Sequence, residues 1–380
     1  MIAHFVPRVS HPRGSVRAVV APDAIAANYR LLRERVAPRA VYAVVKADAY
    51  GHGAPAVARR LSAEGADRFA VAQADEGVSL RRAGVAGEIL VLSHADARDL
   101  PRLRGYALTP ALYDLGQAAA FARATATLAD ALPVHLELDT GMGRAGLRPE
   151  QLDEAASLLR AARGLAVVGT FANLSSADDR ASPATERQAA LLREGAARLK
   201  AAGILPGLVH AANSAAILAS PGAWLDAVRP GLALYGVAPS ADPWPAALTP
   251  ALSVETEVVS VRQVPAGTPL GYGGRFVTTR ATTIAVLPIG YADGFRRSLS
   301  GKASVLLRGR RAPVVGTVSM DVTLVDATET GAGRGDPVVC LGAQGSESIG
   351  AWELARAADT IPYEILCGLG ARVRREYAGS

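Results

Sequence analysis

Between about residues 23 and 240, short β-branched apolar runs alternate with longer Ala/Leu/Arg segments of helical period, the pattern of parallel strands joined by helices. Eight runs read as strands: Ala40–Lys46, Arg68–Gln73, Glu88–Leu92, Gly105–Thr109, Pro133–Leu138, Ala166–Thr170, Leu208–Ala211 and Ala227–Arg229. They predict an α/β fold, a (β/α)8 barrel of the TIM type, preceded by an extra helix over Asp23–Val36 with Pro22 in its first turn. Helical periodicity is clearest over Gln117–Ala129 and Thr185–Ala202. At PSADPWPAALTP, Pro239–Pro250, four prolines interrupt both periods and mark a crossing between domains. Beyond it, alternating runs such as SVETEVVSVRQV, TTIAVLP and APVVGTVS, separated by Gly-rich turns, predict a mainly antiparallel β domain with one helix near Gly350–Ala358. The expected boundaries are a barrel over 15–242 and a β-rich domain over 243–380, with residues 1–14 packing on the latter.

The chain has 380 residues, half of them hydrophobic and 20% charged, enough to bury two cores and to exclude a disordered chain. Two cysteines, Cys340 and Cys367, stand outside any CxxC or CxxH spacing, which excludes a disulfide scaffold and predicts reduced, packed thiols in a cytoplasmic setting. The net charge of +6 raises the question of an acidic partner. The basic residues are scattered, however, with Arg308, Arg310, Arg311 and Arg372, Arg374, Arg375 as the densest groups, and aromatics are 5% of the chain, which argues against nucleic acid. The N-terminus lacks an apolar signal region and no run of 18 apolar residues occurs, so neither secretion nor membrane insertion is expected. Nearly all the basic charge is arginine. The only lysines are Lys46, Lys200 and Lys302, which singles out Lys46 at a strand end.

Barrels of this type carry their chemistry at the C-terminal ends of the strands. The first run ends AVVKADAYGHG, placing Lys46, Tyr50 and His52 there; such a lysine either snorkels, pairs with an acid, or serves as a desolvated Schiff-base amine. The fifth leads into LELDTGMGRAG, which presents Arg144 on a Gly-punctuated turn. The seventh leads into HAANSAA, where Asn213 and Ser214 start a helix and either cap it or meet a phosphate. The eighth gives VRPGLALYG, with Arg229 at the strand end and backbone N–H groups at Gly231 and Leu232. A strand-end lysine and a phosphate cradle after the last two strands together imply pyridoxal 5'-phosphate.

These motifs, with LPIGYADGF, GTVSMD and the closing IPYEILCGLGARVRREY, resemble those of alanine racemase in sequence and order over almost the whole chain. The resemblance implies a pyridoxal-phosphate barrel with a C-terminal β domain, working on L- and D-alanine as a head-to-tail homodimer with shared active sites. It implies that Lys46 holds the cofactor, that Tyr50, Ser214, Gly231, Leu232 and Tyr363 bind its phosphate, and that Arg229 faces the pyridine nitrogen. Arg144 would position the ring and the substrate carboxylate, and Tyr291, Met320 and Asp321 would enter the other subunit's site. Racemisation removes a proton from one face of Cα and returns one to the other, so two acid/base groups must flank the cofactor, Lys46 and Tyr291. Free lysine and tyrosine titrate at about 10.4 and 10, so a base near neutrality needs desolvation or nearby positive charge. An arginine opposite the ring nitrogen does not hand over its proton, which keeps electron withdrawal weak and favours reprotonation at Cα.

Two positions depart from the family pattern. Glu137 stands where the family usually carries a lysine, commonly carbamylated and paired with the arginine of the MGR motif, and is expected to give Arg144 the same negative charge. Asn173 aligns with a family histidine that bridges the pyridine-side arginine and the catalytic tyrosine; it exchanges hydrogen bonds but does not titrate. His4, His11 and His94 show no metal-ligand spacing, His135 reads as a core histidine, His52 and His210 have no assigned role, and no metal site is predicted. A broader amino-acid racemase is the nearest alternative. A pyridoxal-phosphate decarboxylase of the ornithine or diaminopimelate type is disfavoured by Arg229, and a lone-barrel cofactor carrier by the motifs beyond Pro250.

Overall fold

A computed structural model describes residues 16–93 and 95–378, so His4, His11, His94 and the packing of residues 1–14 lie outside the described residues. Two compact units result, one spanning Pro22–Ala251 and one joining the chain before Pro22 to Leu252–Ser380. The first strand, β1 (Arg17–Val20), belongs to the second unit. It pairs antiparallel with Leu252–Glu257 and parallel with Arg374–Tyr377. The barrel unit therefore begins at Pro22 and not at residue 15.

A helix over Pro22–Val36 leads into β2 (Ala40–Val41) and β3 (Ala43–Val44), two halves of one stave. Then follow β4 (Arg68–Val71), β5 (Glu88–Val91), β6 (Thr109–Leu112), β7 (Leu132–Glu137), β8 (Leu165–Phe171), β9 (Leu208–His210) and β10 (Ala227–Val228). All pair parallel, and because β2 pairs with β10 while β3 pairs with β4, the broken stave closes the ring. The TIM-type barrel read from the alternation of runs is thus the observed one. The fourth strand falls later than Gly105–Thr109. A helix runs over Leu100–Gly105, and its exit takes Ala107 to φ 47° while the Leu108 amide bonds back to Leu103. Pro110, which lacks an N–H and argues against a strand, sits inside β6 opposite Val91.

The proline-rich stretch reads as a linker, yet it stays with the barrel through Asn28 of the first helix. The Asn28 side chain donates to the carbonyls of Leu234 (3.0 Å) and Thr249 (2.8 Å) and accepts from the Thr249 amide (2.9 Å). The unit consequently ends at Ala251, past the expected 242.

In the second unit a ten-stranded sheet runs in the order Ser260–Val264, Thr282–Leu287, Thr323–Asp326, Arg310–Val315, Ser304–Leu307, Pro337–Gln344, Leu252–Glu257, β1 and Arg374–Tyr377, with Glu347–Ile349 paired to Pro337–Gln344. Among the described residues, only the pairing of β1 with Arg374–Tyr377 is parallel in this sheet. The expected helix forms over Ala351–Ala357, and a second, over Pro362–Cys367, is too short to leave a periodic signal.

Cys340 is buried as expected, but Cys367 is exposed. Burial pushes the Cys340 thiol up to about 12, with the carboxylates of Asp293 and Glu255 adding to the shift. A native-state thiol titration near pH 8 should therefore modify Cys367 alone, with Cys340 reacting only after unfolding; rapid reaction of both would contradict this packing.

Candidate active site

At the end of the first stave the chain makes a left-handed turn over Lys46–Tyr50, with Ala47, Asp48, Ala49 and Tyr50 at φ between 52° and 54°. For non-glycine residues this costs about 1 to 2 kcal/mol each, so other contacts must hold it. Glu76 accepts from the Ala47 amide (2.7 Å) and, with its other oxygen, from the Ala72 amide (2.6 Å). Asp48 accepts from the Ala54 amide (2.8 Å). The His52 ring lies on Tyr235, 4.5 Å between centroids, with its Nδ1 2.9 Å from the carbonyls of Ala49 and Tyr50. The lysine is thus presented from a braced strand end, half-buried, with Tyr50 folded beside the last stave. A Cβ on Gly231 would come within 2.5 Å of the Tyr50 hydroxyl, which is why that position needs glycine.

Arg229, one residue beyond β10, is buried, and the protein meets its guanidinium with acceptors from two neighbouring staves. Nη1 donates to His210 Nδ1 (2.5 Å) and the His210 carbonyl (3.0 Å). Nη2 donates to the carbonyl of Ala172 (2.9 Å), with Asn173 Oδ1 at 3.3 Å and the Ala211 carbonyl at 3.4 Å. Nε has no acceptor among the described residues. Burial lowers the pKa of Arg229 to about 10, opposed chiefly by the charge of Glu137. Burial likewise takes His210 well below the usual imidazole range, and the positive charge of Arg229 lowers it further, so the ring is neutral beside the guanidinium.

Glu137 and Asn173 meet here. Asn173 Nδ2 donates to Glu137 Oε1 at 2.7 Å while its Oδ1 faces Arg229. The expected Glu137–Arg144 pair does not form: Glu137 ends a strand and is buried, whereas Arg144 is exposed on the loop beyond it and makes no hydrogen bond or ion pair with the described residues. That loop is folded around Asp139, whose Oδ1 accepts from the amides of Gly141, Met142 and Gly143, each at 3.0 Å.

Beyond β9, Asn213 Oδ1 accepts from the amides of Ala215 and Ala216, both 3.1 Å, so its oxygen caps the helix Ser214–Ala219. Ser214 Oγ accepts from the amides of Gly231 (3.0 Å) and Ala233 (3.1 Å), which directs its own O–H elsewhere. The Gly231 amide is therefore held by the serine, and the Leu232 amide has no acceptor among the described residues.

In the second unit, Tyr291 and Met320 are joined through backbone. The Tyr291 amide donates to Ser319 O (3.1 Å) and the Ala292 amide to Met320 O (3.0 Å), an approach that only glycine at 290 permits. Arg372 ties the same loops, donating to Asp293 (2.6 and 3.1 Å) and to Asp321 (2.7 Å). Tyr291 and Met320 are nonetheless 43% and 53% exposed, and Tyr363 on Pro362–Cys367 is 36% exposed. Sequence reading missed Glu76, Glu88 and the linkage of His135 with His210. A signal was available for His135, which alternates with Glu137 on one face of β7 and so places a second polar side chain inside the barrel.

Comparison with known proteins gives a consistent result. The alanine racemase N-terminal domain matches residues 20–239 and the alanine racemase C-terminal domain residues 251–377. The chain is similar to the alanine racemases of Symbiobacterium thermophilum, 44% identical over 94% of this chain and 95% of that one, and of Carboxydothermus hydrogenoformans, 42% identical over 92% and 96%. Among solved structures, the alanine racemase of D-cycloserine-producing Streptomyces lavendulae superposes with a TM-score of 0.92 at 34% identity, covering 97% of this chain and 98% of that one. The alanine racemase of Bartonella henselae with covalently bound pyridoxal phosphate gives 0.87 at 32%, covering 96% and 99%.

Because Asn173 rather than Arg144 engages Glu137, the two residues should respond differently to substitution. Burial raises the Glu137 carboxyl above the ordinary range, with Asn173, Arg229 and Arg144 pulling it back. A raised folded-state value means that stability falls as pH rises from the ordinary carboxylate value through the raised one, a slope that Glu137→Gln should remove. Asn173→Ala leaves a buried carboxylate without its donor and should cost about 2 to 3 kcal/mol near neutral pH. Glu137→Gln keeps an acceptor for Asn173 and should cost about 1 kcal/mol or less. Urea unfolding at several pH values measures both; a larger loss in Glu137→Gln than in Asn173→Ala would reverse the assignment.

Proposed function

The chain belongs to the alanine racemase family, pyridoxal-phosphate enzymes that interconvert L- and D-alanine, and from that premise we propose how its own residues divide the work. Supply of D-alanine for peptidoglycan is the general role of the family. The observation that carries the residue assignment is the state of Arg229: a buried guanidinium whose Nη donors are all met by protein and whose Nε–H is left for a ligand. A pyridine nitrogen is an acceptor of the right kind for it. The Ser214 hydroxyl and the Leu232 amide are donors of the kind a phosphate accepts, Tyr50 stands beside Gly231, and Lys46 is the one lysine at a barrel strand end. These features fit pyridoxal 5'-phosphate. Asn213 contributes by capping the Ser214 helix rather than through its own oxygen.

When bound, pyridoxal phosphate withdraws electrons from the Cα of an attached amino acid and so acidifies its C–H. In our reading, Lys46 holds the cofactor and moves the proton on one face of Cα, abstracting from D-alanine. Tyr291 does the same on the other face, abstracting from L-alanine. Arg229, although lowered to about 10, keeps its proton at neutral pH and would offer the ring nitrogen a hydrogen bond only. Arg144, exposed on the Asp139 loop, has donors available for a substrate carboxylate.

Tyr291, Met320 and Asp321 belong to a second subunit's active site in this proposal, and the protein works as a head-to-tail homodimer with shared sites. Support comes from the clamped backbone under Tyr291 and Met320, which holds an exposed aromatic and an exposed methionine in fixed positions. Tyr363 would complete the phosphate site. A cytoplasmic setting fits a chain with two cysteines and no pairing motif. No helix of the described residues is long and apolar enough to cross a membrane. Chiral chromatography after incubation with each common L-amino acid tests the preference for alanine; equal turnover of serine or larger side chains would favour a broader racemase.

Borohydride treatment of the cofactor-loaded protein should attach pyridoxal phosphate to the Lys46 peptide, and recovery of the label on Lys200 or Lys302 would refute the assignment. Tyr291→Phe should retain bound cofactor and its visible absorbance while losing racemisation by on the order of a hundredfold or more. Normal turnover in that variant would remove Tyr291 from the reaction.

A further inference from the structure

The acceptor of Arg229 is itself the start of a longer chain of hydrogen bonds. His210 Nε2 lies 3.0 Å from His135 Nδ1, and His135 Nε2 lies 3.0 Å from Glu88 Oε1. The other oxygen of Glu88 accepts from the Tyr42 hydroxyl at 2.9 Å. Glu88 is the first residue of β5 and Arg229 follows the last residue of β10, so in a parallel barrel the chain runs from one mouth to the other. Both histidines are fully buried.

The direction of every bond follows from its two ends. Arginine only donates, so His210 Nδ1 must accept and its proton must sit on Nε2, where it is donated to His135 Nδ1. A carboxylate only accepts, so His135 must carry its own proton on Nε2. The two ends demand the same arrangement, two neutral rings each protonated at Nε2. The surroundings fix the ring planes. His210 is stacked between Tyr42 (5.1 Å, 23°) and Phe171 (5.2 Å, 12°), and Tyr42 meets His135 edge-on (5.7 Å, 86°). The backbone yields as well. The β7–β8 register shifts between Val134 and His135, and Gly169 lies where a Cβ would enter the His135 ring. A bulge and a strand-interior glycine each weaken a sheet, and both occur at the position that seats this ring.

We propose that Glu88, at the opposite mouth of the barrel from Lys46, is a positioning residue that fixes the guanidinium of Arg229 through His135 and His210. The proposal rests on the reading that Arg229 faces the cofactor ring. Without an acceptor at residue 88, His135 gains by moving its proton to Nδ1. His210 must then carry its proton on Nδ1, opposite the Arg229 donors, and the guanidinium is pushed out of place.

Imidazole-15N labelling resolves the six histidines of the chain and reports their tautomers directly. In the wild type, His135 and His210 should both be Nε2–H. Glu88→Leu should mix these tautomers and lower kcat by on the order of tenfold to a hundredfold, with the KM for alanine little changed. Glu88→Gln, which keeps a carbonyl acceptor for His135, should hold both tautomers and most of the turnover. A wild-type His210 protonated at Nδ1, or a folded Glu88→Leu with wild-type tautomers and kcat, overturns the proposal. If Glu88→Leu does not fold, the wild-type tautomers and Glu88→Gln decide: loss of the tautomers in Glu88→Gln with undiminished turnover also overturns it. Wild-type protein that fails to racemise alanine would sink the functional reading instead, and the tautomer result would stand apart from it.

Discussion

A guanidinium buried among parallel strands brings five donors and a charge into a space where water cannot meet them, and leaving any one unmet costs about 1 to 3 kcal/mol or more. The interior of the barrel is arranged around that demand at Arg229. Backbone carbonyls at 172, 210 and 211 turn inward at the ends of β8 and β9, and His210 gives up its ring nitrogen as an acceptor. Glu137 supplies negative charge from β7 through Asn173. Usually the middle of such a barrel is filled by branched apolar side chains. Here Tyr42, His135, His210 and Phe171 occupy it, an aromatic and polar filling that can be compact and still carry hydrogen bonds.

Glu137 and Asn173 show why neighbouring polar residues are better judged in pairs. Taken singly, the carboxylate at 137 and the amide at 173 look like two separate features. In space they bond to each other at 2.7 Å, and the amide relays the carboxylate to the arginine. An asparagine presents a donor to one neighbour and an acceptor to the other at fixed separation, which a histidine does only in one tautomer. The charge environment of Arg229 is thereby set without a titrating ring at residue 173.

What the sequence makes legible is what is encoded locally. The β-branched runs mark seven of the eight staves, and the scarcity of lysine points to Lys46. The fourth stave, Thr109–Leu112, lies later than its apolar run because its neighbours in the closed ring fix it, with Pro110 paired opposite Val91. The start of the barrel unit at Pro22 is not encoded locally either, because β1 finds its partners at Glu255 and Arg374, far along the chain. Likewise His135, His210 and Glu88 sit on three different strands, and nothing near any of them announces the others. The family resemblance pairs Glu137 with Arg144, but Glu137 lies inside the strand end and Arg144 on the loop outside it.

The left-handed turn between Lys46 and Tyr50 carries a last consequence, for chain length. A right-handed helix can gain or lose a residue at its end and continue in the same dihedral basin. A left-handed turn has no such continuation for ordinary residues, since each added one needs its own external support. Here the supports are counted out: Glu76 for the Ala47 amide, Asp48 for Ala54, and His52 for the carbonyls of Ala49 and Tyr50. The segment therefore acts as a ruler of fixed length between the amine and the hydroxyl, and an insertion or deletion there cannot be absorbed by sliding.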